Sequence, residues 1–245
     1  MKSYDPLAKA SDICLRIPEH NIFQTTNIHP DMKSNLWSQK EKLVLDKLNT
    51  PYKISQFLDS CEYNSTSETR SPGYVLKLKR AHCMEGALFA AACLEYSGFE
   101  PLILDLRAYN DDDHVIALFK TDGFWGAIAK SNFTTLRYRE PVYRTLRELA
   151  MSYFDFYFNT DGDKSLRAYS LPMKLTQFNK INWQTTENDL EEIGNYLDKI
   201  KHFPLVNKKQ ISKLNNSGPL LLKSSLIGSN PAGLFNPGSG KNSKE

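Results

Sequence analysis

The chain has 245 residues, 40% of them hydrophobic and 24% charged, with a formal net charge of +3. These are ordinary globular proportions, and they exclude a wholly disordered or fibrous chain. Apolar runs such as Ala87–Leu94 fall far short of the ~20 residues a membrane-spanning helix needs. The opening MKSYDPLAKASD has no apolar core of a secretion signal, so the expected setting is cytoplasmic, with no membrane partner. From Lys199 onward eight lysines face one acid, Glu245, for +7, which leaves the first 198 residues at −4. Cys14, Cys61, Cys83 and Cys93 form no C-x-x-C pair and read as free thiols.

In chain order, residues 1–34 read as an irregular extension, and Leu36–Leu48 has helical spacing. Thr50-Pro51, a cap followed by a first-turn proline, opens a helix with Ile54, Phe57, Leu58 and Cys61 on one face. Asn64–Gly73 is a polar loop, and Tyr74–Lys79 reads as a short extended approach to Cys83–Tyr96, a strong helix with Gly98 at its carboxyl end. Pro101–Arg107 and His114–Lys120 read as strands around the polar turn Asn110–Asp113. Asp122-Gly123 marks a tight hairpin with Trp125–Ser131 returning. Pro141–Phe158 reads as an amphipathic helix, and Thr186–Lys201 as another, capped by Thr186. From Asn215 the composition turns to Gly, Ser, Asn and Pro, as in a disordered tail. The expected division is 1–49 as an extension with one helix, 50–201 as the core, and 202–245 as a basic, mostly disordered tail.

Cys83 begins a helix, where unsatisfied N–H groups and the helix dipole favour a thiolate. Cys93, among alanines in mid-helix, reads as a plain core residue. His114, opening a strand, is the candidate base for Cys83. If Asp122-Gly123 is a two-residue turn, paired positions sum to 245 and His114 lies opposite Ser131. One more loop residue makes the sum 246 and puts Asn132 there. Directly paired side chains share a face, so Ser131 or Asn132 is placed to orient the imidazole. A thiol, an imidazole and an amide or hydroxyl then form a nucleophilic constellation.

The order of these residues resembles the transglutaminase-like proteins, relatives of papain-like cysteine hydrolases, over about Arg80–Asn132. Cys83 and His114 match the nucleophile and base positions. Two departures stand out: Val115-Ile116 replaces a Trp that often follows the His, and Ala129 stands where the Asp four residues after a Trp is expected. The strings H-C-x-E-G-A at His82–Ala87 and W-G-A-I-x-K-S-N at Trp125–Asn132 resemble those of a bacterial subgroup. The resemblance implies an α+β papain-like core, with the nucleophile helix packed on a small antiparallel sheet between flanking helices. It also implies a mechanism. Cys83 attacks a carboxamide or thioester carbonyl, His114 moves the proton, and water or an amine resolves the thioacyl intermediate. The backbone N–H of Cys83 is a natural oxyanion donor.

Weaker signals read as structure. Asp111-Asp112-Asp113 is an acidic turn before it is a cation site, and Asn159–Asp163 lacks the glycine position of a calcium loop. His82 reads as an exposed neighbour of the thiol or as a charge near it, and Glu85 as a complement to the helix dipole. Arg137, Arg139, Arg144 and Arg147 read as a solvated face. The lysines of 199–213 have too little aromatic interleaving for a nucleic-acid site. The expected function is therefore a cysteine-dependent acyl-transfer enzyme acting on a peptide or protein, without cofactor or metal. The alternative is a non-catalytic peptide- or protein-binding module on the same fold, and a third class is a nucleic-acid binder acting through the lysine tail.

Overall fold

The computed structural model describes residues 36–237; the extension expected over 1–34 and the last residues of the tail lie outside them. Ser38 caps α1 (Gln39–Leu45), its side chain and that of Glu41 each accepting the other's backbone N–H. Thr50 caps α2 (Pro51–Asp59) as its sequence predicts, and this helix buries Ile54 and Leu58 completely. A parallel pair, β1 (Glu62–Tyr63) and β2 (Arg80–Ala81), then brings residue 63 beside the start of the central helix.

Between those strands lies the first correction. Tyr74–Lys79 is not extended; it belongs to α3 (Pro72–Leu78). Ser71 is held in the extended conformation and Pro72 supplies a preset φ at the first position, a start signal that outweighs the β-branched and aromatic residues behind it. Lys79 ends the helix at φ 50°.

The central helix α4 (Cys83–Tyr96) has the predicted bounds. It ends in paired reverse bonds: Phe99 N–H donates to Leu94 O, and Gly98 N–H to Glu95 O. That geometry needs a left-handed residue, which Gly98 provides at φ 90°. Met84 through Glu95 are all buried, so α4 is a core helix with no solvent stripe.

It packs on a seven-stranded antiparallel sheet ordered β6 (Arg139–Tyr143), β5 (Phe124–Ile128), β4 (His114–Thr121), β3 (Leu102–Ala108), β7 (Leu166–Ser170) and β9 (His202–Pro204), with β8 (Met173–Lys174) also pairing β3. The fold is thus α+β, an antiparallel sheet with flanking helices. Asp122 and Gly123 both have positive φ, and Thr121 pairs Phe124, so the two-residue turn with pairs summing to 245 is the one adopted.

Side chains on β4 alternate strictly. Val115, Ala117 and Phe119 join the core formed with α4 and the helices before it. Ile116 and Leu118 point the other way, into a second core with α5 (Leu146–Phe154). Each fully buried Leu or Phe in these cores contributes ~1.5–3 kcal/mol, and about a dozen such side chains hold the sheet between its two helical layers.

Three further expectations change. The amphipathic helix over Pro141–Phe158 begins only at Leu146, capped by Thr145; its first residues are the edge strand β6, where Pro141 is tolerated because an edge leaves one side unpaired. Thr186 does not cap a helix: α6 spans Glu191–Lys199, and the Thr186 hydroxyl instead closes a local turn on Asn188 N–H. The expected tail is also ordered over residues 202–237. It adds β9 to the sheet, then α7 (Lys208–Ile211), α8 (Pro219–Ser225) and a 3-10 turn at Pro231–Gly233. Its Gly, Ser and Asn residues are docking turns held by side-chain bonds rather than free linker.

Candidate functional site

Cys83 stands at the first turn of α4, with His82 as the residue before it. Two strands deliver this turn: β2 runs into it, and β1 lays Tyr63 alongside. The capping carboxylate is Glu85. It is fully buried and accepts from the backbone N–H groups of His82 (2.9 Å) and Arg70 (3.0 Å) and from Asn64 Nδ2 (3.0 Å). Glu85 therefore ties the loop before α3 to the helix start, beyond the dipole role its position predicts.

The Cys83 thiol donates a long hydrogen bond to the Asp113 carbonyl, 3.9 Å away. Although the residue keeps partial exposure, burial of the sulfur dominates its titration and pushes the thiol up to about 12. The N–H groups of Val115 and Met84 hydrogen-bond the sulfur and partly counter this, while the negative charges of Asp112 and Asp105 add to the rise. At neutral pH Cys83 is a thiol.

His114 is buried on the other side of the sheet. It has the parity of Ile116 and Leu118, and its ring stands edge-on to Tyr153 at 6.5 Å and Tyr157 at 6.3 Å, aromatic residues of the α5 side. Its Nε2 donates to the Leu136 carbonyl at 2.8 Å. Burial lowers its pKa to about 4, with the Arg139 charge assisting and the Leu136 bond opposing. The imidazole is neutral and structural, and the β4 residue on the Cys83 side is Val115. The expected Cys83–His114 pairing is not assembled.

Nor do Ser131 and Asn132 orient His114. The β4–β5 ladder stops at Ala117–Ile128, three residues short of the predicted His114–Ser131 pair. Beyond it the chain turns inward so that Lys130 can reach the end of α2, where its Nζ donates to the carbonyls of Leu58 (2.8 Å) and Cys61 (2.5 Å). Burial lowers the pKa of this lysine. Gly86 makes the path possible, since a Cβ there would overlap Lys130 Cβ. The two motif strings thus meet in space through Gly86 and Lys130. Ser131 Oγ accepts from Phe133 N–H at 3.0 Å, closing its own turn.

Asn132 has a different partner. Its Oδ1 accepts from Asn230 N–H at 2.7 Å and its Nδ2 donates to Asn230 O at 2.8 Å, a two-bond clamp on the backbone of the C-terminal segment. Asn230 Nδ2 in turn donates to Tyr63 O at 3.2 Å.

An imidazole–carboxylate pair that the sequence does not announce lies on the Cys83 side of the sheet. His202 Nε2 lies 2.8 Å from Asp105 Oδ2, and its Nδ1 lies 2.8 Å from Ile200 O. Asp105 N–H donates to Ser170 Oγ at 2.9 Å. Asp105 shares its face with Ile103, as period-two alternation requires. Both ring nitrogens of His202 are engaged, so the pair acts as a staple between β3, β7 and β9. Its one sequence signal is an isolated histidine among lysines at the start of the basic C-terminal stretch.

The acidic turn is bonded rather than convergent. Asp111 accepts from Ser165 Oγ (2.6 Å) and Asp112 N–H (2.9 Å), and Asp113 from Ala108 N–H (2.7 Å). Among the described residues no group of three His, Cys, Asp or Glu could hold a metal ion, and no helix is long and apolar enough to cross a membrane. Two surface clefts, one beside Tyr143 and Glu148 and one beside Tyr109 and Arg167, are lined by none of Cys83, His114, Ser131 or Asn132. No protein-family model matches the chain, and no curated protein matches it.

Proposed function

We propose that this chain is a non-catalytic peptide- or protein-binding module, built on a core that resembles the transglutaminase-like one without its working site. The observation that carries this reading is that His114 bonds Leu136 and packs on Tyr153, across the sheet from Cys83. A thiol nucleophile needs a base or a lowered pKa. Among the described residues, His114 faces away from Cys83, burial raises the thiol pKa, and the charges that act on it are the Asp112 and Asp105 carboxylates. The residues expected to catalyse have structural partners instead: Leu136 for His114, Phe133 for Ser131 and Asn230 for Asn132.

The acyl-transfer reading keeps one support, the two backbone N–H groups that hydrogen-bond the sulfur. One experiment separates the two. Iodoacetamide labelling of Cys83 is followed by mass spectrometry across pH, with Cys83→Ser as the blank. The binding-module reading requires labelling slower than that of an ordinary exposed cysteine and no plateau below about pH 9. A rapid, pH-independent reaction near neutrality would overturn it in favour of the enzyme.

A further inference from the structure

The C-terminal segment is bound the way a ligand is bound. An asparagine side chain presents a donor and an acceptor side by side, the complement of one residue's backbone N–H and C=O. Asn132 uses both on Asn230, and it is buried while doing so. Such a clamp reads main chain rather than side chain.

Three features add selectivity. Asn230 is read a second time, through Nδ2 donating to Tyr63 O. Its Oδ1 accepts from Ala232 N–H at 3.1 Å and starts the 3-10 turn that Pro231 preorganises. Gly233 then lies so close that a Cβ would come within 2.6 Å of Tyr63 Cε1 and 3.3 Å of Asn132 Nδ2. The surface therefore fits a segment with asparagine first, proline second and glycine fourth.

We propose that Tyr63 and Asn132 form a docking site for an Asn-Pro-x-Gly peptide turn, which the chain's own Asn230–Gly233 fills until a partner carrying the same turn replaces it. The proposal deepens the binding-module reading and rests on it for the class of partner. The occupant is held by a few neutral hydrogen bonds, each worth ~1 kcal/mol net, so exchange is energetically accessible.

The test uses the full chain and a fluorescein-labelled peptide of residues 226–237. Asn230→Ala with Gly233→Val weakens the internal occupant and leaves the site intact. This double variant should bind the peptide roughly tenfold tighter than the wild type by fluorescence anisotropy, and adding Asn132→Ala should cancel the gain. No binding by the folded double variant, or binding that ignores Asn132, overturns the proposal. If the double variant does not fold, Asn132→Ala alone is read by hydrogen exchange. The amides of 226–235 should then exchange roughly tenfold faster with the sheet unchanged, and unaltered exchange overturns the proposal. Cys83 labelling stays a separate readout: fast labelling together with peptide binding would remove the non-catalytic reading and leave the docking site standing.

Discussion

Cys83 and His114 lie on opposite sides of one sheet: the sulfur accepts a bond from Val115 N–H, and the ring, one residue earlier in β4, points away toward Tyr153 and Tyr157. Successive side chains of a strand alternate, so a single position separates an imidazole facing the thiol from one that cannot reach it.

That relationship predicts a gain of reactivity by design. Val115→His combined with His114→Leu moves the imidazole to the Cys83 side. A neighbouring imidazole lowers a thiol pKa, and one unit gives roughly tenfold more thiolate. Iodoacetamide labelling of Cys83 near pH 7.5 should therefore accelerate by about tenfold over the wild type. An unchanged rate in a folded variant would show that position 115 does not face the sulfur.

The contact between Gly86 and Lys130 predicts a coupled pair. Gly86→Ala adds a methyl where Lys130 Cβ already sits, and overpacking of this kind costs ~1–3 kcal/mol. The cost should persist in a Lys130→Ala background, which keeps that Cβ, and fall to a few tenths of a kcal/mol in Lys130→Gly. Urea unfolding of the single and double variants measures it; equal costs in all backgrounds would refute the contact.

Two buried groups give the stability opposing pH dependences. Burial raises Asp111 from the usual carboxylate range to about 7, against the bonds from Ser165 and Asp112. The folded state therefore holds a proton the unfolded state has lost, and this stabilisation, full below about pH 4, disappears as pH rises to about 7. Asp111→Asn removes the charge, keeps an acceptor for Asp112 N–H and turns the Ser165 hydroxyl into an acceptor from Nδ2. It should match the wild type near pH 4 and exceed it by ~2–4 kcal/mol near pH 8. His114 runs the other way: its pKa is lowered to about 4, so its contribution is full above about 6.5 and lost as pH falls to about 4. His114→Phe should therefore flatten the acid limb. Thermal melts across pH read both, and an Asp111→Asn curve parallel to the wild type would contradict the first.

Much of the fold was legible because local rules governed it. The α4 bounds follow from small residues, a first-turn Glu85 and a terminal Gly98, and the hairpin register follows from two residues that tolerate positive φ. The facing of His114 was not legible. Val115–Phe119 is apolar on both faces, so its pattern carries no mark of which face meets α4. Register arithmetic left His114 opposite Ser131 or Asn132; the turn adopts the first register, but the ladder ends before either pair forms, where Lys130 bonds a helix end far away in sequence. Pro141 fits a helix start by sequence, but an edge strand accepts proline equally well. β7 and β9 carry Arg167, Ser170 and His202 among their few residues and show no clean alternation, so only tertiary pairing reveals them.

The Asn132–Asn230 clamp joins residues 98 positions apart. A ribosome adds ~5–20 residues per second, so ~5–20 s separate synthesis of the receptor asparagine from synthesis of the segment that covers it. Until residue 230 emerges, the nascent chain lacks its own occupant for the seat. A partner encountered during translation meets no internal competitor there, whereas the finished protein must first let go of itself.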